Sequence, residues 1–478
     1  MEIRQHPGEL DFADKHVTVV GLGIEGVDLA RYLSHRGAFV TVSDSKSREI
    51  LGERVGEVGG LGVRLALGSN RPRDIAEAEA VFVSQGVPLD LPGVESARKR
   101  GVPMYSMMGL FMELCPGPIA GITGSSGKTT TTALLAEMFE ADELPVFVGG
   151  NIGVGLLDHL SSVRAYTWAV LEVSHTQLQL VERSPHVAAI LNITPNHLDK
   201  FSWDEYRRLK ANIIRYQQAS DIAVLGFDDA ECRALEQHVR GRLLRFSLGD
   251  AMPGDGVFVR DSWAVIRYGR LNEKVFRLDS LKLRGRHNQA NAVAAAAIAT
   301  ACGISPEAIA CAVETFRGVP HRLEFVGDVA GVGYYNDSIA TTPERALAGI
   351  RSFSEPVVLL LGGRDKYLPL EELADEAMRR CRAVVVFGES GGKIEGAFRA
   401  FVGTGRAAMR RVESLAEAVE AARSLAETGD VVLLSPACTS YDAYESFERR
   451  GEHFRSLVKQ MIKPDLTAAE GEVQPSLP

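Results

Sequence analysis

Residues 121–132 read GITGSSGKTTTT, set between an apolar run and the helix-like stretch ALLAEMF. The pattern predicts a strand ending near Ile122, a loop over 123–127 and a helix beginning near Lys128. In such a turn successive backbone N–H groups and the helix N-terminus point at one spot, which suits phosphate oxygens. Gly124, Ser125, Ser126, Gly127, Lys128, Thr129 and Thr130 are therefore candidate nucleotide-phosphate contacts, with Lys128 as countercharge and Thr129 as a Mg²⁺ ligand. The spacing departs from the common phosphate loop, because Ile122 stands where its first glycine belongs. A glycine-rich turn with a solvated lysine is the plain alternative, but G-K-T-T entering a helix is more specific than glycine content.

The rest of the chain fits a globular protein around that loop. Its 478 residues are enough for roughly two to four domains. With 45% hydrophobic residues, 24% charged residues and a formal net charge of -9, the composition argues against nucleic acid or an anionic membrane as partner. Six cysteines lie without CxxC spacing, as expected of reduced cytoplasmic thiols. The N-terminal MEIRQHPGELDFADKH lacks a hydrophobic signal core, and no apolar run approaches the roughly 18 residues of a membrane span. The expectation is a cytoplasmic protein.

Three segments each alternate short β-branched runs with helical patterns, the sign of parallel α/β sheets. Residues 1–107 hold HVTVVGLG, AFVTVSD and AVFVSQG; 108–317 hold the quoted loop, TWAVLEVS, VAAILNIT, IAVLG, a β-rich excursion around GDGVFVRDSWAVIRYGRL and the alanine-rich helix NQANAVAAAAIATAC. Residues 318–478 hold PVVLLLGG, AVVVFGES and VVLLSPA, and end in PDLTAAEGEVQPSLP, which reads as a disordered tail.

Several further residues carry chemistry by position. Gly21, Gly23 and Gly26 follow the first strand and Asp44 ends the next, which is the dinucleotide fingerprint of a Rossmann-like domain. Alone it suggests NAD; beside a second phosphate loop it suits another diphosphate, such as that of a nucleotide sugar. Glu172 sits at the C-terminal end of an apolar strand, the edge where ligands bind in open parallel sheets. A carboxylate buried there needs a cation, and Mg²⁺ is the obvious one. His197 and Asp199 follow in the loop NITPNHLDK at another such edge, where an ordinary surface histidine is the alternative. In SWDEYRRLKANIIRY an apolar stripe includes Tyr206, Leu209, Ile213 and Ile214, and Lys210 projects beside it. That lysine either snorkels to water or has a partner or chemical role.

Taken in order, these motifs resemble those of the Mur ligase family. ITGSSGKTT, GGNIG at 149–153, LEVSHTQL, LNITPNHLD, RLKANI, GRHNQANA, VPHRLE, YNDSIATTPE, LLGGRDK and LLSPACTSYDAYESFERRGEHF carry the resemblance across nearly the whole chain. It implies an ATP-dependent peptide ligase of peptidoglycan synthesis with three α/β domains: an N-terminal Rossmann-like domain for UDP-N-acetylmuramoyl-L-alanine, a central phosphate-loop-type domain with a mostly parallel sheet for ATP, and a C-terminal Rossmann-like domain for glutamate. By position, Gly23, Ile24, Ser45, Lys46, Gly86, Asn151 and His197 would meet the UDP-sugar, and Asn288, Arg322 and Asp337 would join the loop around ATP. Thr129, Glu172, His197 and Lys210 would serve two Mg²⁺ sites, Lys210 as a CO₂-derived carbamate; Lys128, Glu172, His197 and Lys210 would carry the catalysis. Thr341, Thr342, Lys366, Ser440 and Phe447 would line the amino-acid pocket. The implied reaction passes through an acyl phosphate, and the protein is expected to act as a monomer.

The chain departs from the family pattern at four places: Ile339 where many relatives have Lys, Gln85 for a frequent Pro, Asn196 where an acid often precedes the histidine, and Tyr441 for Leu or Phe. It also lacks DNPR, the signature of the diamino-acid-adding relatives. Two other readings compete. An NAD(P)-dependent oxidoreductase would use Gly21 to Gly26 and Asp44 but leaves Lys128 and Lys210 unexplained. A nucleotide-binding regulator would bind ATP and form no amide.

Overall fold

The computed structural model describes residues 10–151, 155–196, 200–401 and 407–462. The apolar runs form three sheets. The first contains β1 (His16–Val20), β2 (Phe39–Asp44), β3 (Arg64–Leu67), β4 (Ala80–Val83) and β5 (Met104–Tyr105), all paired in parallel in the order β3-β2-β1-β4-β5. That is the nucleotide-binding order on either side of the first strand, with helices supplying each crossover.

The second sheet contains β6 (Ile119–Thr123), β7 (Val146–Gly150), β8 (Trp168–Glu172), β9 (Val187–Ile190), β10 (Ile222–Gly226), β11 (Arg242–Ser247), β12 (Gly256–Arg260), β13 (Trp263–Tyr268) and β14 (Leu271–Arg277). Its order is β14-β13-β12-β11-β10-β9-β6-β8-β7, parallel from β12 to β7 and antiparallel at β13 and β14. The anticipated β-rich excursion is thus a continuation of the same sheet. The strands nearest the phosphate loop, β6, β8 and β9, are buried almost throughout, as strands covered on both faces must be.

The third sheet contains β15 (Glu324–Val329), β16 (Val332–Asn336), β17 (Val357–Gly362), β18 (Cys381–Phe387), β19 (Ala408–Arg411) and β20 (Val431–Ala437), in the order β15-β16-β20-β17-β18-β19. Only the β15–β16 pair is antiparallel. The sequence did not show that hairpin, because β15 is half-exposed and carries a glycine, which leaves a weak strand pattern.

By packing, residues up to Lys282 and Arg286–Phe316 make one compact unit, and Leu283–Gly285 with the chain from Arg317 make another. Within the first unit one apolar core runs under both sheets, joined by the helix Met107–Leu114, whose Met107, Met108, Leu110, Phe111 and Met112 are all buried. The alanine-rich helix Arg286–Cys302 is buried nearly all round, and its small side chains suit close approach to neighbouring backbone. All six cysteines are unpaired thiols. No helix among the described residues is long and apolar enough to cross a membrane, and the C-terminal tail beyond Ile462 lies outside them.

Candidate active site

β6 ends at Thr123, and the helix Lys128–Ala141 begins after Gly127. Gly127 has φ +83°, and a Cβ there would sit 2.2 Å from Asn291 Oδ1, so both conformation and space demand glycine. Asn291 in turn donates to Asn288 Oδ1 at 3.2 Å, which brings the first turns of Arg286–Cys302 against the loop. The loop is not a full ring of outward N–H groups. Ser125 N–H donates to Asn192 O at 3.0 Å, and Ser126 N–H donates to Asn192 Oδ1 at 2.9 Å. Two donors that the sequence assigns to phosphate are therefore spent on the chain after β9. The helix that follows opens with Lys128, Thr129 and Thr130, and N–H groups at a helix N-terminus point along the axis in the way that suits an anion.

Ser125 Oγ accepts from Thr194 N–H at 2.9 Å and lies 3.0 Å from Tyr206 Oη. Tyr206 belongs to the helix Trp203–Arg215, which Ser202 caps by accepting from Glu205 N–H. Sequence periodicity sets Lys210 beside the buried stripe; the structure sets it inside, only 1% exposed. Its Nζ donates to Gly124 O at 2.8 Å and to Thr123 Oγ1 at 3.1 Å, and lies 5.4 Å from the Tyr206 ring centroid. Lys128 Nζ donates to the same Gly124 oxygen at 3.0 Å. Burial first and the Lys128 charge second hold the Lys210 pKa well below that of an ordinary lysine, with Glu172 opposing them.

Glu172, at the end of β8, is 2% exposed. Its Oε1 accepts from Asn151 Nδ2 at 3.0 Å, whereas Oε2 is buried with no hydrogen-bond partner among the described residues. A bare carboxylate oxygen in that position is costly. The hard oxygens of Glu172 and of Thr129, on the first turn of the loop helix, are donors that Mg²⁺ favours. No cluster of three His, Cys, Asp or Glu side chains is found among the described residues, but His197 and Asp199 lie outside them. Lys128, Glu172 and Lys210 thus come together, each from the C-terminal edge of the second sheet or the helix packed beside it.

At the corresponding edge of the first sheet stand Gly23 and Ile24 after β1, Ser45 and Lys46 after β2, and Gly86 after β4. A Cβ at Gly26 would fall 1.9 Å from Gly21 O, which explains that glycine by close approach of helix and strand. Asp44 is occupied: Oδ2 accepts from Leu22 N–H at 2.7 Å and Oδ1 from Lys46 N–H at 2.8 Å. In a dinucleotide enzyme this acid would reach a ribose, whereas here it braces two backbone turns.

In the second unit, Thr341 and Thr342 follow β16, Lys366 follows β17 and Ser440 follows β20, so three adjacent strand ends supply them. Lys366 Nζ donates to Thr341 Oγ1 at 3.1 Å, and its pKa is lowered by burial and by Arg345. Phe447 opens the helix Phe447–Ile462, its carbonyl accepting from Ser338 Oγ at 2.8 Å. Asp337 is buried, accepts from Ser435 Oγ at 2.8 Å and Leu323 N–H at 3.2 Å, and has its pKa raised by burial to about 7 despite Arg322 and Arg345 nearby. Arg345 also donates to Ile339 O at 3.3 Å, so a cation stands beside the position that lacks one in sequence. The sequence did not single out Asn192, Asn291 or the hydroxyl of Tyr206; an asparagine two residues past the end of a strand that neighbours β6 was the available signal for the first.

Residues 15–106 match the Mur ligase MurD-like N-terminal domain, 122–299 the Mur ligase middle domain and 321–438 the Mur ligase glutamate ligase domain. The chain is 42% identical over 450 residues to the UDP-N-acetylmuramoylalanine--D-glutamate ligase of Symbiobacterium thermophilum, covering 94% of this chain and 98% of that one. It is 37% identical over 458 residues to the ligase of the same name from Koribacter versatilis, covering 95% and 100%. Among solved structures, a UDP-N-acetylmuramate-alanine ligase of Thermotoga maritima shares the fold with a TM-score of 0.55 at 20% identity, covering 93% of this chain and 99% of that one. A pseudomurein peptide ligase of Methanothermus fervidus shares it with a TM-score of 0.53 at 17% identity, covering 94% and 100%. Sheets, loop and domain matches run in one order over nearly the whole length, and the chain belongs to the Mur ligase family.

Proposed function

We propose that this protein joins D-glutamate to UDP-N-acetylmuramoyl-L-alanine at the expense of ATP, in the synthesis of peptidoglycan precursors. The observation that carries the reading is the meeting of Lys128 and Lys210 on the Gly124 carbonyl, at the mouth of a phosphate loop, with the Glu172 carboxylate near enough to act on the Lys210 charge. Relatives at 37–42% identity, named for that reaction, supply the substrates. In this reading 1–107 hold the UDP-sugar, 108–317 the ATP and 318–478 the glutamate.

Lys128 and the N–H groups of the first helical turn hold the γ-phosphate while the substrate carboxylate attacks it in line, giving an acyl phosphate and ADP. Glu172 Oε2, Thr129 and His197 would hold Mg²⁺, which supplies neutralisation of charge on the transferring phosphoryl group. Lys210, whose pKa burial holds well below that of an ordinary lysine, would add CO₂ through its amine with release of a proton, and the resulting carbamate would be a further anionic oxygen donor at a second Mg²⁺. Lys366, Thr341, Thr342, Ser440 and Phe447 receive glutamate, whose amine attacks the acyl phosphate and expels phosphate. The protein acts as a cytoplasmic monomer in this reading.

The test is ADP release with UDP-N-acetylmuramoyl-L-alanine and, in turn, D-glutamate, L-glutamate and other amino acids. Stimulation by D-glutamate above the rest is expected. Stimulation by another amino acid alone would overturn the substrate, and none by any amino acid would overturn ligase activity.

A further inference from the structure

Gln85 follows β4 at the edge of the first sheet, yet its side chain bonds to residues of the second. Its Nε2 lies 3.2 Å from Asn151 Oδ1, 3.0 Å from Ser174 Oγ and 3.0 Å from Thr176 Oγ1, while its backbone N–H donates to Glu25 Oε2 at 2.7 Å. Asn151 is tied to Glu172 twice, by its backbone N–H to Glu172 O at 2.8 Å and by Nδ2 to Oε1 at 3.0 Å.

The direction of this chain follows from its end. A carboxylate accepts and does not donate, so Asn151 must turn its NH₂ toward Glu172. Its carbonyl then faces Gln85, which must present its own NH₂. Turning the Asn151 amide over would set two acceptors against each other at Glu172 and two donors against each other at Gln85. One amide thus dictates the orientation of the next.

We propose that Gln85 is a positioning residue for the cation site: it holds the Asn151 amide in one of its two orientations, which commits Glu172 Oε1 to a hydrogen bond and leaves Oε2 as the oxygen presented to the metal. The unpartnered state of Oε2 among the described residues is what that division of labour produces. Gln85 also adjoins Gly86 in the loop assigned to the nucleotide sugar, so one side chain links that loop to the metal ligand. The inference rests on Glu172 as a cation ligand.

Gln85→Met keeps the backbone N–H and the length of the side chain and removes the side-chain amide; Gln85→Ala provides a second variant should packing suffer. Mn²⁺, standing in for Mg²⁺, is titrated into the full-length protein with a non-hydrolysable ATP analogue, and free Mn²⁺ is read by electron paramagnetic resonance. Both variants are expected to bind Mn²⁺ roughly fivefold more weakly, the size of one lost orienting hydrogen bond, with thermal midpoints near that of the parent. In an Asn151→Ala background, Gln85→Met is expected to add no further loss. Unchanged Mn²⁺ affinity in the Gln85 variants, or equal losses in both backgrounds, overturns the positioning role. Glu172→Gln separates the two levels: if it too leaves Mn²⁺ binding unchanged, the reading of Glu172 as a ligand fails as well, whereas a loss there with normal Gln85 variants sinks the positioning role alone.

Discussion

Lys128 Nζ and Lys210 Nζ donate to one acceptor, the carbonyl oxygen of Gly124, at 3.0 and 2.8 Å. Two ammonium groups so close repel each other, and Lys210, the more deeply buried, yields its proton the more readily. The arrangement gives the pair different tasks. In the proposed reading Lys128, on the first helical turn, is the charge for an incoming phosphate, and Lys210 is the amine that would react with CO₂.

The first prediction concerns Lys128. Lys128→Ala removes the fixed countercharge of the loop without touching the Gly127 turn. A fall of about 10²–10³ in ATP turnover is expected, the usual scale for loss of one preorganised electrostatic group. Steady-state ADP release measures it. Activity within a few-fold of the parent would mean that another group neutralises the phosphate.

Lys210 gives the second. Lys210→Ala is expected to be impaired by a similar factor of about 10²–10³ and to regain part of its activity with added acetate or formate, which can occupy the space of a carbamate. In the parent, ¹³C-bicarbonate is expected to yield a protein-bound carbamate resonance that Lys210→Ala lacks. Lack of both the resonance and the rescue would leave Lys210 as a hydrogen-bond donor to Thr123 and Gly124.

Asp337 supplies a pH dependence. Its pKa in the folded protein is raised by burial to about 7, against an ordinary value of 3.8. The folded state therefore binds the proton more tightly than the unfolded state. Asp337 contributes most below the unfolded value, and that contribution is lost as pH rises from about 4 through 7. Asp337→Asn, which cannot ionise, should compare more favourably with the parent at pH 8 than at pH 5, because the parent loses stability between the two. Thermal midpoints of the full chain at the two pH values decide it; an equal effect at both would contradict the raised pKa.

Local patterns carried much of this in the sequence. The phosphate loop and the start of its helix are set by Gly127 and the G-K-T-T run, and Glu172 is marked by being the one acid in an apolar strand. What stayed hidden depends on contacts between distant segments. Asn192 captures Ser125 and Ser126 only because β9 lies beside β6. Gln85 and Asn151 are 66 residues apart and meet through the packing of two sheets. Periodicity located the edge of the stripe near Lys210, but how deeply an edge residue is buried is decided by what packs on it, here the strand end at Thr123 and the Tyr206 ring.

Arg450 gives the last prediction. It is fully buried, and its guanidinium donates to Ser338 Oγ and to the backbone oxygens of Ser338, Gly362, Cys438 and Thr439, at 3.0 to 3.3 Å. These oxygens lie at the ends of β16, β17 and β20, the same edge that holds Thr341, Lys366 and Ser440. Burial lowers its pKa to about 10, still high enough to keep it charged at neutral pH. Arg450→Met strands several buried carbonyls, each worth about 1–3 kcal/mol when unsatisfied. Arg450→Lys keeps the charge but loses the planar fork that spans three strand ends, so it should rescue little. Both variants are expected to lose at least about 3 kcal/mol in urea unfolding, and Arg450→Lys is expected to raise the KM for glutamate more than that for ATP. A loss below about 1 kcal/mol in either variant would show that water or a shifted backbone satisfies those oxygens, and the strand ends would then owe their arrangement to the apolar core beneath them.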